Sequence, residues 1–382
     1  MKLQRNGRTK ALAIGTLAVV SSLTLAACGS NNNTPTNSST TASSGTTATA
    51  AAVDCGTGSV NVLAAGSTAQ QNAINAWVQK FQAICPNVTI DYSGTGSSAG
   101  RTSFTAGKVA FAGSDAAMKP ADEAKTGSAC GGVGQAINLP LDGGPIAMGY
   151  NIPGVTNLVL DADTLAQIYT GKITNWNDAA IAKLNPSAKL PDLKIQTFHR
   201  SDGSGTSANF SAYLAAAAAS DWTYGSNSQW PAPGGQSAKG SAALAAQVAQ
   251  VPGSISYFEL SYATAKNITT ASVLTTPGGT PVAPSSTSAA LAASEATIAG
   301  TGQDLALKLN YATTTPGAYP ISLVTYNIVC DKGNKAATLP AVKAFFNYAI
   351  SPAGQQVAQS VGYMVLPSAI TTKVQAEIAT LG

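Results

Sequence analysis

Three times in this 382-residue chain a short apolar strand runs into a turn of glycines and hydroxyls and then into a helix. "SVNVLAAG" leads through "AAGSTAQ" (Ala64 to Gln70) into a stretch where Ile74, Trp77, Val78 and Phe81 repeat at the spacing of one helical face. "VTIDYSGTG" passes through "SGTGSSAG" (Ser93 to Gly100) into "SSAGRTSFTAG". "LKIQTFHRSDGSG" passes through "SDGSGTS" (Ser201 to Ser207) into "SANFSAYLAAAAASDW". A further strand, "VAFAGSD", closes on Asp115. Strands alternating with helices predict an α/β architecture, with ligand chemistry at the carboxyl ends of the strands.

The turns have a chemistry of their own. A helix start carries unpaired N–H groups and the positive end of the helix dipole, so it attracts anions. Glycine lets backbone approach a ligand closely, and Ser or Thr adds a hydroxyl donor. Ser67, Ser97 and Ser204 fit two roles at this point, simple helix caps or donors to an anion. Arg200 precedes the third turn, and arginine holds oxyanions with a rigid fork of donors. Asp202 lies two residues on, on the same face of an extended segment, where it can hold the guanidinium in one orientation. Asp115 is read as either a helix cap or an acceptor for a ligand.

Other chemistries fail on spacing. "AGKV" and "TGKI" lack the upstream glycine of a phosphate-binding P-loop, and "GTGSSAG" spaces its glycines too widely for a dinucleotide fingerprint. "DGSGT" has aspartate where a nucleophile elbow needs glycine. His199, the one histidine, points away from Arg200 on a strand and is given no role. With a single histidine and no CxxC pair, neither a metal site nor a cofactor is expected.

The first residues form a leader. Lys2, Arg5, Arg8 and Lys10 precede the apolar "ALAIGTLAVVSSLTL", too short to span a bilayer comfortably. "LAAC", ending at Cys28, resembles the lipobox of bacterial lipoproteins, in which the cysteine becomes a lipidated N-terminus. Residues 1–27 are therefore expected as a lipoprotein signal peptide. Residues 28–56, polar and without periodicity, are expected as a flexible tether with a reach of roughly 25–30 Å. The four basic residues of the leader account for the whole net charge of +4. The remaining chain is neutral, which leaves no electrostatic footprint for nucleic acid. Arg101 and Arg200 are its only arginines. Export places Cys55, Cys85, Cys130 and Cys330 in an oxidising compartment, where they are expected to form two disulfides. The local loop favours Cys85 with Cys130, leaving Cys55 with Cys330.

From about Ser59 to its end the chain resembles the extracytoplasmic phosphate-binding subunits (PstS type) of phosphate ABC importers. The resemblance rests on "AGSTAQ", "GTGSSAG", "VAFAGSDAAM", "LAQIYTGKITNWNDAAIAKLNP", "FHRSDGSGTSANF" and "VPGSISYFELSYA", in consistent order. It implies a type II periplasmic-binding-protein (Venus flytrap) fold of two domains with two hinge crossings, near "NLPLDGGPIAMGYN" and "YPISLVTYNIV". Domain I is then expected at 57–140 and 318–382, and domain II at 141–317. It further implies a solute-binding protein rather than an enzyme, monomeric, lipid-anchored at Cys28 to the outer face of the cell membrane, with permease subunits as partners.

Carried over onto matching positions, the phosphate ligands are Thr68 and the Ala69 backbone, Ser97, Asp115, Arg200, Ser204, the Gly205 backbone and Thr206, with Asp202 orienting Arg200. Ala69 stands where the family often has Phe, which removes an aromatic wall and keeps the backbone donor. Arg101 is read as a solvated helix residue. An ionised Asp115 only accepts, so it suits the proton that phosphate retains and opposes the unprotonated oxygens of sulfate. Arsenate carries a comparable proton and is not excluded by this reasoning.

Overall fold

The structure, a computed structural model, describes residues 53–382. The expected signal peptide, Cys28 and nearly all of the expected tether lie outside the described residues. Within the described part, Cys55, at the far end of the segment expected as tether, is held by a disulfide.

The chain opens with strand β1 (Val60–Gly66), helix α1 (Gln71–Ile84), β2 (Val88–Gly94), α2 (Ser97–Thr105) and β3 (Phe111–Ser114). Ile74, Trp77 and Phe81 are buried on α1, as their spacing requires, and the Trp77 indole donates to the Gly354 carbonyl at 2.7 Å. After a short α3 (Pro120–Glu123) comes the long β4 (Ala136–Asn151), buried along nearly its whole length. Then follow β5 (Val159–Asp161), α4 (Ala162–Tyr169), α5 (Ala179–Leu184), β6 (Gln196–Arg200), α6 (Gly205–Ala217), β7 (Gln236–Ala238) and α7 (Ser241–Gln250). The strand β8 (Ser254–Glu259) leads to α8 (Leu260–Ala265), β9 (Thr269–Thr270), β10 (Ser272–Leu274), α9 (Ser286–Ala293), β11 (Thr297–Ile298) and β12 (Leu307–Lys308). A second long strand, β13 (Ser322–Cys330), precedes α10 (Leu339–Ile350), α11 (Pro352–Ser360) and α12 (Ser368–Thr380).

Nine strands form one sheet in the order β2-β1-β3-β13-β4-β8-β6-β7, with β9 added on β4. The pairs β1–β2, β1–β3, β6–β8 and β6–β7 are parallel, whereas β13 runs antiparallel to both β3 and β4. The sheet serves two cores. Trp77, Phe81, Phe111, Phe345 and Phe346 centre the first; Tyr169, Trp176, Phe210, Tyr213 and Tyr257 centre the second.

Only the two long strands divide their side chains between these cores. On β4, Leu139 and Leu141 enter the first and Ile146 and Met148 the second; on β13, Leu323 enters the second and Val324 and Tyr326 the first. Such strands can flex where they pass between separately packed bodies, as hinges do. Ala289 and Ala293 of α9, and Ile298, Leu305, Leu307 and Leu309 after it, pack with the first core, between Val282 and Tyr311 of the second.

The disulfides differ from the expected pairing. Cys55 is bonded to Cys85, and Cys130 to Cys330, with Cα separations of 5.6 and 5.5 Å. Strand pairing is the reason. Val60 lies opposite Val88 in a parallel ladder, so the segments entering β1 and β2 start side by side. Cys330 lies opposite Ala136 in the antiparallel ladder, beside the segment that carries Cys130. Cys55 and Cys85, with a separation of 30, are also the nearer pair in sequence, so the expected pairing overlooked the shorter loop.

Candidate functional site

The helix starts of α1, α2 and α6 come together where the two cores face one another. Ser67 and Ser97 both donate to Asp115, at 2.5 Å to Oδ1 and 3.1 Å to Oδ2. Thr325 of β13 donates to Oδ1 at 2.9 Å. Asp115 is thus a buried carboxylate ringed by hydroxyl donors, just past the end of β3. Burial pushes its carboxyl up, and the Ser67 and Thr325 hydroxyls and the Arg200 charge offset part of that rise.

Ser97 then reaches across, accepting the Gly205 amide of α6 at 3.1 Å. Gly205 itself has no room for a side chain, because a Cβ there would stand 2.5 Å from the Asp115 Cβ. Nearby, the Ser98 amide donates to the Gly203 carbonyl at 3.0 Å. Gly96, which caps α2 with φ +97°, presents the same need, since a Cβ there would strike the Asp202 carboxylate.

Arg200 ends β6 and is buried. Asp202 grips it with both oxygens, 2.7 Å from Nε and 2.5 Å from Nη2. Burial works against the guanidinium charge, but Asp202 outweighs it and the arginine is held more firmly protonated than usual. Burial alone would raise the Asp202 carboxyl; Arg200 instead holds it below the ordinary range. With that fork fixed on Asp202, Nη1 remains directed elsewhere, and it donates to the Ser241 hydroxyl at 3.2 Å. Ser241 meets the Thr68 hydroxyl at 3.1 Å, and its amide donates to the same Thr68 oxygen at 3.2 Å. Thr206 donates to Glu259 Oε1 at 2.7 Å. The Ala69 amide is turned onto the Ser67 hydroxyl at 3.0 Å.

Every residue carried over from the sequence is therefore found in or beside one polar cluster. Ser204 alone plays the cap, accepting the Ser207 amide, while Gln70 and Gly96 occupy the cap positions of α1 and α2. Arg101 is not solvated as expected. It is half-buried and donates to Ser98, Ser114 and the Ala116 carbonyl, which braces the backbone around Asp115. His199 stacks on Trp230 with its Nδ1 toward the Arg200 carbonyl.

Two members of the cluster escaped the sequence reading although both obey its grammar. Ser241 follows Gly240 at the start of α7, after strand β7, a fourth strand–glycine–helix junction. Glu259 closes the apolar strand "SISYFE" as Asp115 closes "FAGS". Burial, together with the Asp115 charge, raises its carboxyl. A cavity of about 290 Å³ opens beside Thr68, Asp202 and Gly240, with Lys239 on its rim. Within the buried cluster, behind that cavity, three helix starts and one guanidinium supply donors, and a carboxylate supplies an acceptor. The set suits a small tetrahedral oxyanion that carries a proton.

Comparison with known proteins places this arrangement. A family model described as a PBP superfamily domain matches residues 34–353. The chain is 39% identical over 380 residues to the phosphate-binding protein PstS3 of Mycobacterium bovis, covering 99% of both chains. It is 40% identical over 382 residues to the phosphate-binding protein PstS 2 of Mycobacterium tuberculosis, again over 99% of each. Among solved structures, a putative phosphate ABC transporter substrate-binding protein from Clostridium perfringens, with bound phosphate, superposes with a TM-score of 0.58. That match has 19% identity and covers 80% of this chain and 100% of the other.

Proposed function

The chain belongs to the PstS-type phosphate-binding proteins of the PBP superfamily, and from that premise we propose that it binds inorganic phosphate outside the cytoplasmic membrane and delivers it to an ABC import permease. The observation that carries this reading is Asp115, a buried acceptor that shares one hydrogen-bond cluster with three helix starts and lies close enough to feel the Arg200 charge.

In this reading Thr68, the Ala69 amide, Ser97, Arg200, Ser204, the Gly205 amide and Thr206 bind phosphate, and Asp202 orients Arg200. Phosphate near neutral pH keeps at least one proton, and ionised Asp115 accepts it. The hydroxyls now directed at Asp115 and Ser241 turn toward the ligand as it enters. Sulfate brings no proton, so its oxygen and the carboxylate would face each other as two buried acceptors. A site built for a hydroxyl rejects an analogue lacking it by roughly 10⁴–10⁵.

Domain I, 57–140 and 318–382, and domain II, 141–317, form the two lobes in this reading, with the stretch from Ala289 to Leu309 leaning on the first core. Ligand contacts from both lobes bias the hinge toward closure, and the closed surface is what the permease recognises. Capture without chemistry, a monomeric body and a lipid anchor at Cys28 complete the proposal. Calorimetric titration of the ligand-stripped protein with phosphate and with sulfate tests it, alongside incubation with a generic phosphoester. Tight binding of phosphate alone and no hydrolysis are expected; hydrolysis, or equal binding of both anions, would overturn it.

A further inference from the structure

Asn209 lies one turn into α6, buried at 6% exposure, and belongs to none of the ligand positions above. Its amide nitrogen donates twice, to the Asp115 main-chain carbonyl at 2.7 Å and to the Gly205 carbonyl at 2.8 Å. Asp115 follows a strand of the first core, whereas α6 packs in the second, so one side chain joins both walls of the cleft. Its amide oxygen accepts the hydroxyl of Tyr311. That tyrosine packs against the second core and sits on the stretch leading into β13.

The Tyr311 contact matters because an amide can present either end. Turned over, Asn209 would set its oxygen against two carbonyl oxygens and leave its nitrogen facing Tyr311. The two carbonyls, which only accept, fix the orientation with both N–H groups toward them, and the Tyr311 phenol then donates to the amide oxygen and holds the side chain there. Burial raises the Tyr311 phenol further from ionisation, so it remains a donor at ordinary pH. Neither carbonyl belongs to a ligand-binding side chain, so the contact can hold the cleft shut without choosing the anion.

We propose that Asn209, oriented by Tyr311, is the latch of the closed cleft and sets how long the bound anion is retained. The proposal rests on phosphate being the ligand. The bond to Gly205 stays within α6, whereas the bond to the Asp115 carbonyl crosses the cleft and is made only in the closed form; its loss should speed release, with little effect on encounter.

Stopped-flow measurement of phosphate association and release, on the full chain and its variants, tests this. Asn209→Leu keeps the branched shape and removes both donors. It should release phosphate about tenfold or more faster, with association changed less than about threefold and the phosphate-to-sulfate preference unchanged. Tyr311→Phe should speed release by a smaller factor, and should add almost nothing when combined with Asn209→Leu, because the two act as one unit. Should the leucine variant fail to fold, Tyr311→Phe alone carries the test through the same split between release and association. Unchanged release, a loss confined to association, or full additivity of the two substitutions would overturn the latch while leaving phosphate as the ligand. A parent protein that binds no phosphate would overturn the functional reading and the latch together.

Discussion

Asp115 and Gly205 face each other so closely across the cleft that a methyl group on the glycine would lie 2.5 Å from the aspartate Cβ. The contact brings the start of α6 against the end of β3, and it exists only while the two cores are closed on one another. Gly205→Ala should therefore oppose closure rather than disturb either core. Overpacking of this kind costs about 1–3 kcal/mol, or about 10- to 100-fold in phosphate affinity. Calorimetry checks the affinity, and an unchanged melting temperature of the ligand-free variant would separate closure from folding.

Arg200→Ala removes the one buried guanidinium of the cluster and strands Asp202. Breaking a buried ion pair costs about 3–5 kcal/mol, so phosphate affinity should fall on the order of 100-fold or more. Asp202→Asn should weaken binding less, because the arginine keeps its charge and loses only its fixed orientation. The same titrations rank the two variants, and a larger effect of Asp202→Asn would contradict the roles assigned.

A pH effect is expected from a carboxyl outside the cluster. Burial, with the Asp304 charge added, pushes the Glu123 carboxyl up to about 7, against the hydrogen bond from Asn138. Its ordinary value is 4.5. A carboxyl raised in the folded state is neutral in both states below that value and contributes no penalty there. Between 4.5 and about 7 folding has to keep it protonated, so stability falls as pH rises and levels off above. Glu123→Gln should match the parent at pH 4 in scanning calorimetry and melt several degrees higher at pH 8. Parallel melting curves across that range would contradict the assignment.

The two disulfides close loops of very different length, with sequence separations of 30 and 200. In the chain-entropy picture the longer loop stabilises by about 1–2 kcal/mol more. Replacing Cys130 and Cys330 by serine should lower the denaturation midpoint more than replacing Cys55 and Cys85. Non-reducing peptide mapping checks the pairing itself.

Local pattern carried much of this molecule. The strand–turn–helix junctions around Ser67, Ser97 and Ser204 were legible because period and turn chemistry agree there, and Asp115 stood out as a charge closing an apolar strand. Pairing across the sheet was not. The Cys130–Cys330 bond depends on β13 lying against β4 with a separation of 200, whereas Cys55 and Cys85, 30 apart, were the nearer pair and were passed over. Arg101 looked solvated because two of its three acceptors, Ser114 and the Ala116 carbonyl, lie on β3 and just past it rather than on its own helix. Ser241 and Glu259 carried the right signals and were passed over. Asn209 and Tyr311 carried none, because their meaning depends on what the closed cleft sets beside them.

The account depends most on Asp115 acting as the acceptor that requires a proton on the ligand. The direct measurement is the ratio of phosphate to sulfate affinity, by calorimetry, in the parent and in Asp115→Asn. The amide can donate as well as accept, so the ratio should fall by on the order of 100-fold or more, with sulfate binding gaining as phosphate binding weakens. A variant that keeps the parent ratio would contradict the account.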